Sequence, residues 1–192
     1  MSDIPSIHPK TRAEWREWLE TYHANASGVW LVYYRKETGK ARVSWDDAVD
    51  EALCFGWIDS VQRRLDAERT MLRFSPRKPK SGWSKINKAR IARLIADGLM
   101  APAGLAKIKA AKRDGSWRAL DSVERLQIPP DLGKALEANA TARRHFDAFP
   151  PSSRKIILTW IASAKRPETR AKRVAETVRQ AAKNLKANHY RQ

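Results

Sequence analysis

The segment Phe74-Ser-Pro-Arg77-Lys78-Pro-Lys80-Ser81-Gly82-Trp83-Ser84-Lys85-Ile-Asn87 gathers the residue types best suited to holding an anion. A strand is expected to end here, a proline-stiffened loop to follow, and a helix to begin at Ser81 or Gly82. A helix N-terminus offers unpaired N–H groups and a partial positive charge. Arg77 can grip a phosphate or a carboxylate through two parallel hydrogen bonds. The candidate ligand-binding residues are therefore Arg77, Lys78, Ser81, Trp83, Ser84 and Asn87. The glycines of a Walker loop are missing. The competing reading is an ordinary capped helix, with Arg77 paired to an acid of the 46–59 segment.

A second group of polar residues lies in Asp50-Glu51-Ala-Leu-Cys54-Phe-Gly56-Trp57-Ile-Asp59-Ser60. Asp59 follows Trp57 at strand spacing, so the two share a face. A carboxyl held beside an indole can have a raised pKa and act as an acid or base. Pairing with Arg77 is the commoner fate, and Asp59 joins the candidate site on either reading. Cys54 lies between Leu53 and Phe55 with no histidine near it in sequence, which is the setting of a small buried hydrophobe rather than a nucleophile. The four histidines show no ligand spacing, so no metal, no cofactor and no assigned catalytic residue is expected. A third group, in Ala164-Lys165-Arg166-Pro-Glu168-Thr169-Arg170-Ala-Lys172-Arg173, sets basic residues on one side of a helix. Lys165, Glu168, Arg170 and Arg173 form a candidate interaction face for a phosphate backbone or an anionic membrane surface, or else a solvated face.

The elements that position these groups follow from periodicity. Thr11 and Glu14 fit a capping box, and Trp15, Trp18, Leu19 and Tyr22 continue as a helix over 11–23. Val29–Tyr34 reads as a buried strand, and Ser44 opens a helix over 44–55 that Gly56 stops. Trp57–Leu65 and Thr70–Ser75 read as an antiparallel hairpin. A helix to Gly98 and a shorter one from Pro102 to Arg113 follow. Residues beyond 130 are helical in pattern throughout: 131–138, 139–147, 153–165 and 167–186. Ile156, Ile157, Trp160 and Ile161 are too apolar to face water. The expected organisation is an α+β domain over 1–120 with a small antiparallel sheet and flanking helices. A linker over 121–130, an all-helical module over 131–187 and a tail over 188–192 complete it.

With 192 residues the chain can bury a core without staples, and one cysteine excludes an internal disulfide framework. No basic leader with an apolar run and no membrane span is visible, which points to a cytoplasmic protein. The net charge of +17 is unevenly spread. Residues 1–68 carry 9 Lys/Arg and 12 Asp/Glu, whereas residues 69–96 carry 9 Lys/Arg and no acid. Residues 129–192 carry 14 against 5. Such a field attracts phosphates, nucleic acid or anionic lipid.

The blocks Ala52-Leu-Cys-Phe-Gly-Trp-Ile-Asp59, Phe74-Ser-Pro-Arg77, Ser81-Gly-Trp-Ser84-Lys-Ile-Asn87 and Gly98-Leu-Met100 with Pro102-Ala-Gly104-Leu resemble the YdeI/OmpD-associated (OmdA) family. The run Trp160-Ile-Ala-Ser-Ala-Lys165-Arg-Pro-Glu168-Thr-Arg170-Ala-Lys-Arg173 resembles that family's C-terminal module, labelled bacteriocin-protection. The resemblance extends from about Glu14 to Leu185. It implies an N-terminal part similar to the YjbR/CyaY-like α+β domains. It also implies a non-enzymatic binding or stress-response protein linked to tolerance of cationic antimicrobial peptides, and it brings no catalytic residues. Three readings stand: such a protein with an anionic small molecule or phosphate group as ligand, a nucleic-acid-binding protein, or an enzyme acting on a small anionic substrate through Asp59 and Arg77. The oligomeric state is not readable.

Overall fold

A computed structural model describes residues 4–188, in two compact units that meet in sequence between Ala119 and Leu120. Of the expected tail, only Asn188 lies within the described residues.

The first unit contains β1 (Ser6–Ile7), α1 (Arg12–Tyr22), β2 (Val29–Tyr34), α2 (Trp45–Cys54), β3 (Trp57–Arg64), β4 (Arg69–Pro76), α3 (Lys85–Ala96) and α4 (Pro102–Arg113). The sheet order is β1-β2-β4-β3. The β3–β4 hairpin is antiparallel, as the hairpin signal predicts, and the β2–β4 pair is antiparallel as well. The two-residue β1 is parallel to β2, so the sheet is mixed, and so short a strand leaves no periodic pattern to read.

Side chains start three of these helices. Thr11 accepts from the Glu14 N–H at 3.2 Å, and Glu14 in turn accepts from the Lys10 N–H at 2.9 Å, one residue before the cap. Ser44 caps α2 through the Asp47 N–H at 3.0 Å. Ser84, not Ser81, caps α3, so that helix begins at Lys85 and the preceding loop is three residues longer than the pattern suggests.

The core packs one face of the sheet against the helices. Leu31, Leu72, Phe74 and Trp57 meet Trp15, Leu19, Leu53, Ile91 and Leu94. The two large indoles satisfy their N–H groups, Trp15 on the Ala48 carbonyl and Trp57 on the His23 carbonyl. α2 is tied to its neighbours by charge. Asp50 and Glu51 are both 2% exposed. Asp50 accepts from Arg90 and Arg93 of α3; Glu51 accepts from Arg12 at 2.5 Å and Arg16 at 2.8 Å of α1.

The second unit holds α5 (Asp121–Glu124), α6 (Pro130–Glu137), α7 (Ala140–Ala148), α8 (Pro151–Ala162) and α9 (Pro167–Ala182). Its core is Leu132, Leu136, Phe146, Ile157, Leu158, Ile161, Val174 and their neighbours. The expected linker 121–130 is corrected: α5 lies within it, Val123 is buried, and Leu126 and Ile128 pack on this core. Its polar composition concealed three apolar residues with the same destination. Of the four residues judged too apolar for water, Ile157 and Ile161 are buried, Trp160 is half-buried, and Ile156 remains 36% exposed. Among the described residues no helix is long and apolar enough to cross a membrane.

α4 sits close against the end of α2 at Gly104. A Cβ on Gly104 would stand 2.2 Å from the Cys54 carbonyl oxygen, and the Ala101 N–H donates to that same oxygen at 3.1 Å. Neither partner can yield, since both are backbone. Gly104→Ala is expected to destabilise the first unit by about 2–3 kcal/mol through overpacking, measured by urea unfolding; Gly98→Ala, where a Cβ meets nothing within 4 Å but φ is +68°, is expected to cost only about 1 kcal/mol.

Candidate functional site

The loop that joins β4 to α3 carries the candidate anion residues, and its conformation decides what they do. Arg77 continues from β4, its N–H donating to the Gly56 carbonyl at 3.0 Å. Its side chain turns inward. The guanidinium lies 3.7 Å from the centre of the Trp83 ring and donates from Nη2 to the Gly82 carbonyl at 2.6 Å. Arg77 is 5% exposed and Trp83 2%. Trp83 packs in turn on Trp117 at 5.2 Å. An arginine stacked on an indole and folded back on its own loop is a rigid, desolvated cation.

Among the described residues of the first unit, three charged ones are buried: Asp50, Glu51 and Arg77. The two acids have arginine partners. Arg77 has no carboxylate within ion-pair distance among the described residues, and its Nε has no hydrogen-bond partner. The expected pairing of Arg77 with an acid of the 46–59 segment therefore does not form. Asp46 and Asp50 are taken by Arg90, with Arg93 also on Asp50, while Asp47 and Glu51 are taken by Arg12, with Arg16 also on Glu51. Burial holds the Arg77 pKa down at about 10, with Asp59 pulling weakly the other way.

Beside Arg77 lies a cavity of about 90 Å³ between this loop and the C-terminal half of α4. Arg77, Lys78, Lys80, Ser81 and Trp83 form the loop wall; Lys107, Asp114 and Ser116 contribute the other. Four cations thus face one acid. Asp114 is already engaged: hydrogen bonds from the Ser116 hydroxyl and N–H and from the Lys80 N–H hold its carboxyl below the usual range. Those bonds fix Lys80, a non-glycine residue with φ of 60°. Lys107 reaches across to the Arg77 carbonyl at 3.3 Å.

Of the seven sequence-derived candidates, Arg77, Lys78, Ser81 and Trp83 line this cavity. Ser81 points its hydroxyl to the Lys78 carbonyl at 2.8 Å. Ser84 and Asn87 do not line it; they form the cap of α3, Ser84 accepting from the Asn87 N–H at 3.3 Å. Asp59 sits on β3 opposite Phe74, half-buried, and makes no ion pair among the described residues. Burial raises its pKa, and the fields of Arg90 and Arg77 partly offset this. The expected contact between Asp59 and Arg77 is thus a coupling of charges, not a hydrogen-bonded pair. Sequence reading missed the α4 wall, Lys107, Asp114 and Ser116, because only the close seat of Gly104 on Cys54 brings α4 there. Cys54 is buried, its thiol pushed up to about 11 by burial and by Glu51, which suits a packing residue.

The C-terminal candidates divide in two. Arg170 forks onto Asp131 of α6 at 2.6 and 2.9 Å. Arg173 lies over the Trp160 ring at 5.1 Å and donates to the Trp160 carbonyl and to Ser163. Both close the C-terminal end of α8. Lys165 and Glu168 are exposed.

The fold and this cavity define an α+β unit carrying a buried, unneutralised arginine, followed by a separate helical unit. The chain belongs to the family described as Domain of unknown function (DUF8412), whose model matches residues 7–107. A second model, Bacteriocin-protection, YdeI or OmpD-Associated, matches residues 125–184. The OmdA resemblance is thereby placed in the helical unit; the blocks between Ala52 and Gly104 fall in the first family's match, and nothing there speaks for a YjbR/CyaY relationship. No curated protein and no solved structure matches the chain.

The two kinds of buried charge differ in what their removal should do. Asp50→Ala leaves Arg93 without its carboxylate and Arg90 with Asp46 alone, and is expected to cost about 1–3 kcal/mol. Arg77→Met keeps the stem on Trp83 and removes a charge with no counter-ion, so in anion-free buffer it is expected to change stability by less than about 1 kcal/mol. Urea unfolding of both variants checks the contrast.

Proposed function

We propose that the first unit is a binding module for a small oxyanion, phosphate or carboxylate, seated in the cavity beside Arg77. One observation carries the reading: Arg77 is nine-tenths buried, stacked on Trp83, unpaired with any carboxylate, and flanked by Lys78, Lys80 and Lys107. A buried cation is costly to leave without a partner. The loop is held in its shape by Asp114 and Gly82, so an anion would meet preorganised donors and lose little entropy in ordering them. The cavity suits a single oxyanion group rather than a whole nucleotide.

A protective role of the kind in the helical unit's family name fits this charge only indirectly. A chain of net charge +17 repels cationic peptides. Tolerance would then run through the bound anion or through an anionic partner. No chemical step is assigned to the cavity.

Sulfate is the probe of choice, since its charge is constant across the relevant pH range. Titrated against chloride at equal ionic strength, it is expected to raise the melting temperature, with about 2.7 kcal/mol gained at a hundred times its Kd. Arg77→Gln should weaken sulfate binding roughly ten- to a hundredfold, Lys80→Gln roughly fivefold, and Lys172→Gln of α9 by a negligible, screened amount. Asp59 opposes the anion through its field at Arg77. Its pKa is raised, so affinity should climb as pH falls through that value and Asp59 loses its charge; Asp59→Asn should bind more tightly at neutral pH and lose this dependence. Equal effects of Arg77→Gln and Lys172→Gln, or no sulfate-specific shift, would reject the site.

A further inference from the structure

The sheet has a second face that the anion cavity does not use. Trp30 pairs with Arg73, Val32 with Met71 and Tyr34 with Arg69; Met71 pairs on its other side with Arg63. Paired residues share a face, and their neighbours Leu31, Tyr33, Leu72 and Phe74 fill the core. The opposite face is therefore a band of two aromatic rings and three arginines. Val32, at its centre, is 5% exposed but lies in neither buried cluster.

Cations lie over both rings, and the His8 ring also packs against Tyr34 with centres 4.8 Å apart. The Arg63 guanidinium lies 5.2 Å from the centre of the Trp30 ring, and the Lys40 ammonium 4.9 Å from that of Tyr34. The acids of this region are consumed locally: Asp66 by Arg69, Glu68 by Lys40 and Glu37 by Arg35. Arg63, Arg64 and Arg73 have no carboxylate partner among the described residues, and the Arg73 Nε is buried with no hydrogen bond at all.

We infer that this outer sheet face binds single-stranded nucleic acid, with bases stacking on Trp30 and Tyr34 and phosphates meeting Arg63 and Arg73. The charge sign calls for a polyanion. The rings choose among polyanions. Stacking platforms interleaved with cations suit exposed bases, which every unpaired strand presents and a duplex conceals. Trp30 and Tyr34 stand four residues apart on one strand, about 13 Å, a span for separated bases and not for adjacent stacked ones. An anionic membrane would answer the charge but not the flat, cation-capped rings. The inference is independent of the oxyanion cavity, whose residues lie on the loop and α4.

Fluorescence anisotropy with the full chain and a labelled oligothymidylate of about 15 nucleotides at about 50 mM salt tests it. Micromolar binding is expected, roughly tenfold tighter than to a duplex of equal length, and falling steeply with salt. Trp30→Ala and Arg63→Ala should each weaken it roughly five- to a hundredfold, whereas Trp30→Phe, which keeps a ring and the packing, should lose less than about threefold. Sulfate binding should be untouched by Trp30→Ala, which separates this face from the cavity. Duplex binding as tight as single-strand binding would overturn the inference. So would equal losses from Arg63→Ala and Lys172→Gln, or sedimentation with phosphatidylglycerol vesicles without oligonucleotide binding.

Discussion

The first unit depends on one arrangement: two carboxylates buried in the middle of α2, each gripped by two arginines from a different helix. Glu51 ties α2 to Arg12 and Arg16 of α1, and Asp50 ties it to Arg90 and Arg93 of α3. Such ion pairs add little net stability over apolar packing, but breaking one is expensive. Their value is geometric. Asp50 and Glu51 are adjacent in sequence, roughly 100° apart around a helix, so they point to opposite neighbours. Arg16 extends the tie to the Leu99 carbonyl at 3.2 Å, just before α4. The apolar stripe of α2 alone would allow it to slide or roll on the sheet; the four arginines fix its register against both flanking helices.

The loop at Arg77 inherits that constraint. With α3 fixed by Arg90 and Arg93, and β4 fixed in the sheet between β2 and β3, the chain from Arg77 to Ser84 must close a set distance. It does so with Lys80 in the left-handed region and with Trp83 driven into the core. Arg77 is then trapped against the indole with nowhere to reach solvent. Gly104 supplies the second wall. Because α4 can touch the Cys54 carbonyl, Lys107, Asp114 and Ser116 arrive at the loop. The cavity exists because a helix–helix approach limited by one missing side chain meets a loop stretched between two fixed ends.

The elements themselves were legible because they rest on local rules. The capping residues Thr11 and Ser44, the aromatic strand 29–34, the hairpin at 66–69 and prolines at first-turn positions each act within a few residues. What was not legible depends on distant partners. Ser81 and Ser84 are equally good caps in the sequence; only the length that the loop must span selects Ser84. The 121–130 segment looked like a linker because its polar and proline residues outnumber the Val123, Leu126 and Ile128 that matter to packing. For the site, the cationic loop was visible, but the fate of its arginine was not. Nothing in the spacing says that the acids of 46–51 would already be spent on four other arginines. The same holds for Arg170 and Arg173, whose charges read as a surface face and are used to close α8 and to hold α6.

The charge distribution then acquires a structural explanation. The acid-free stretch 69–96 carries nine cations, but they are not equivalent. Arg69 is neutralised by Asp66, and Arg90 and Arg93 by the carboxylates of α2. The surplus that remains is concentrated on Arg77, Lys78 and Lys80 around the cavity and on Arg73 of the outer sheet face, where Arg63 joins it. A merely solubilising charge would be spread over mobile, exposed side chains. Here one cation is buried, another has a buried and unpaired Nε, and a third lies over an indole ring. Desolvated, immobile cations raise the field around them and cost free energy until an anion arrives. The excess positive charge therefore has fixed positions, and those positions follow from how completely the arginines of α1 and α3 consume the acids of α2.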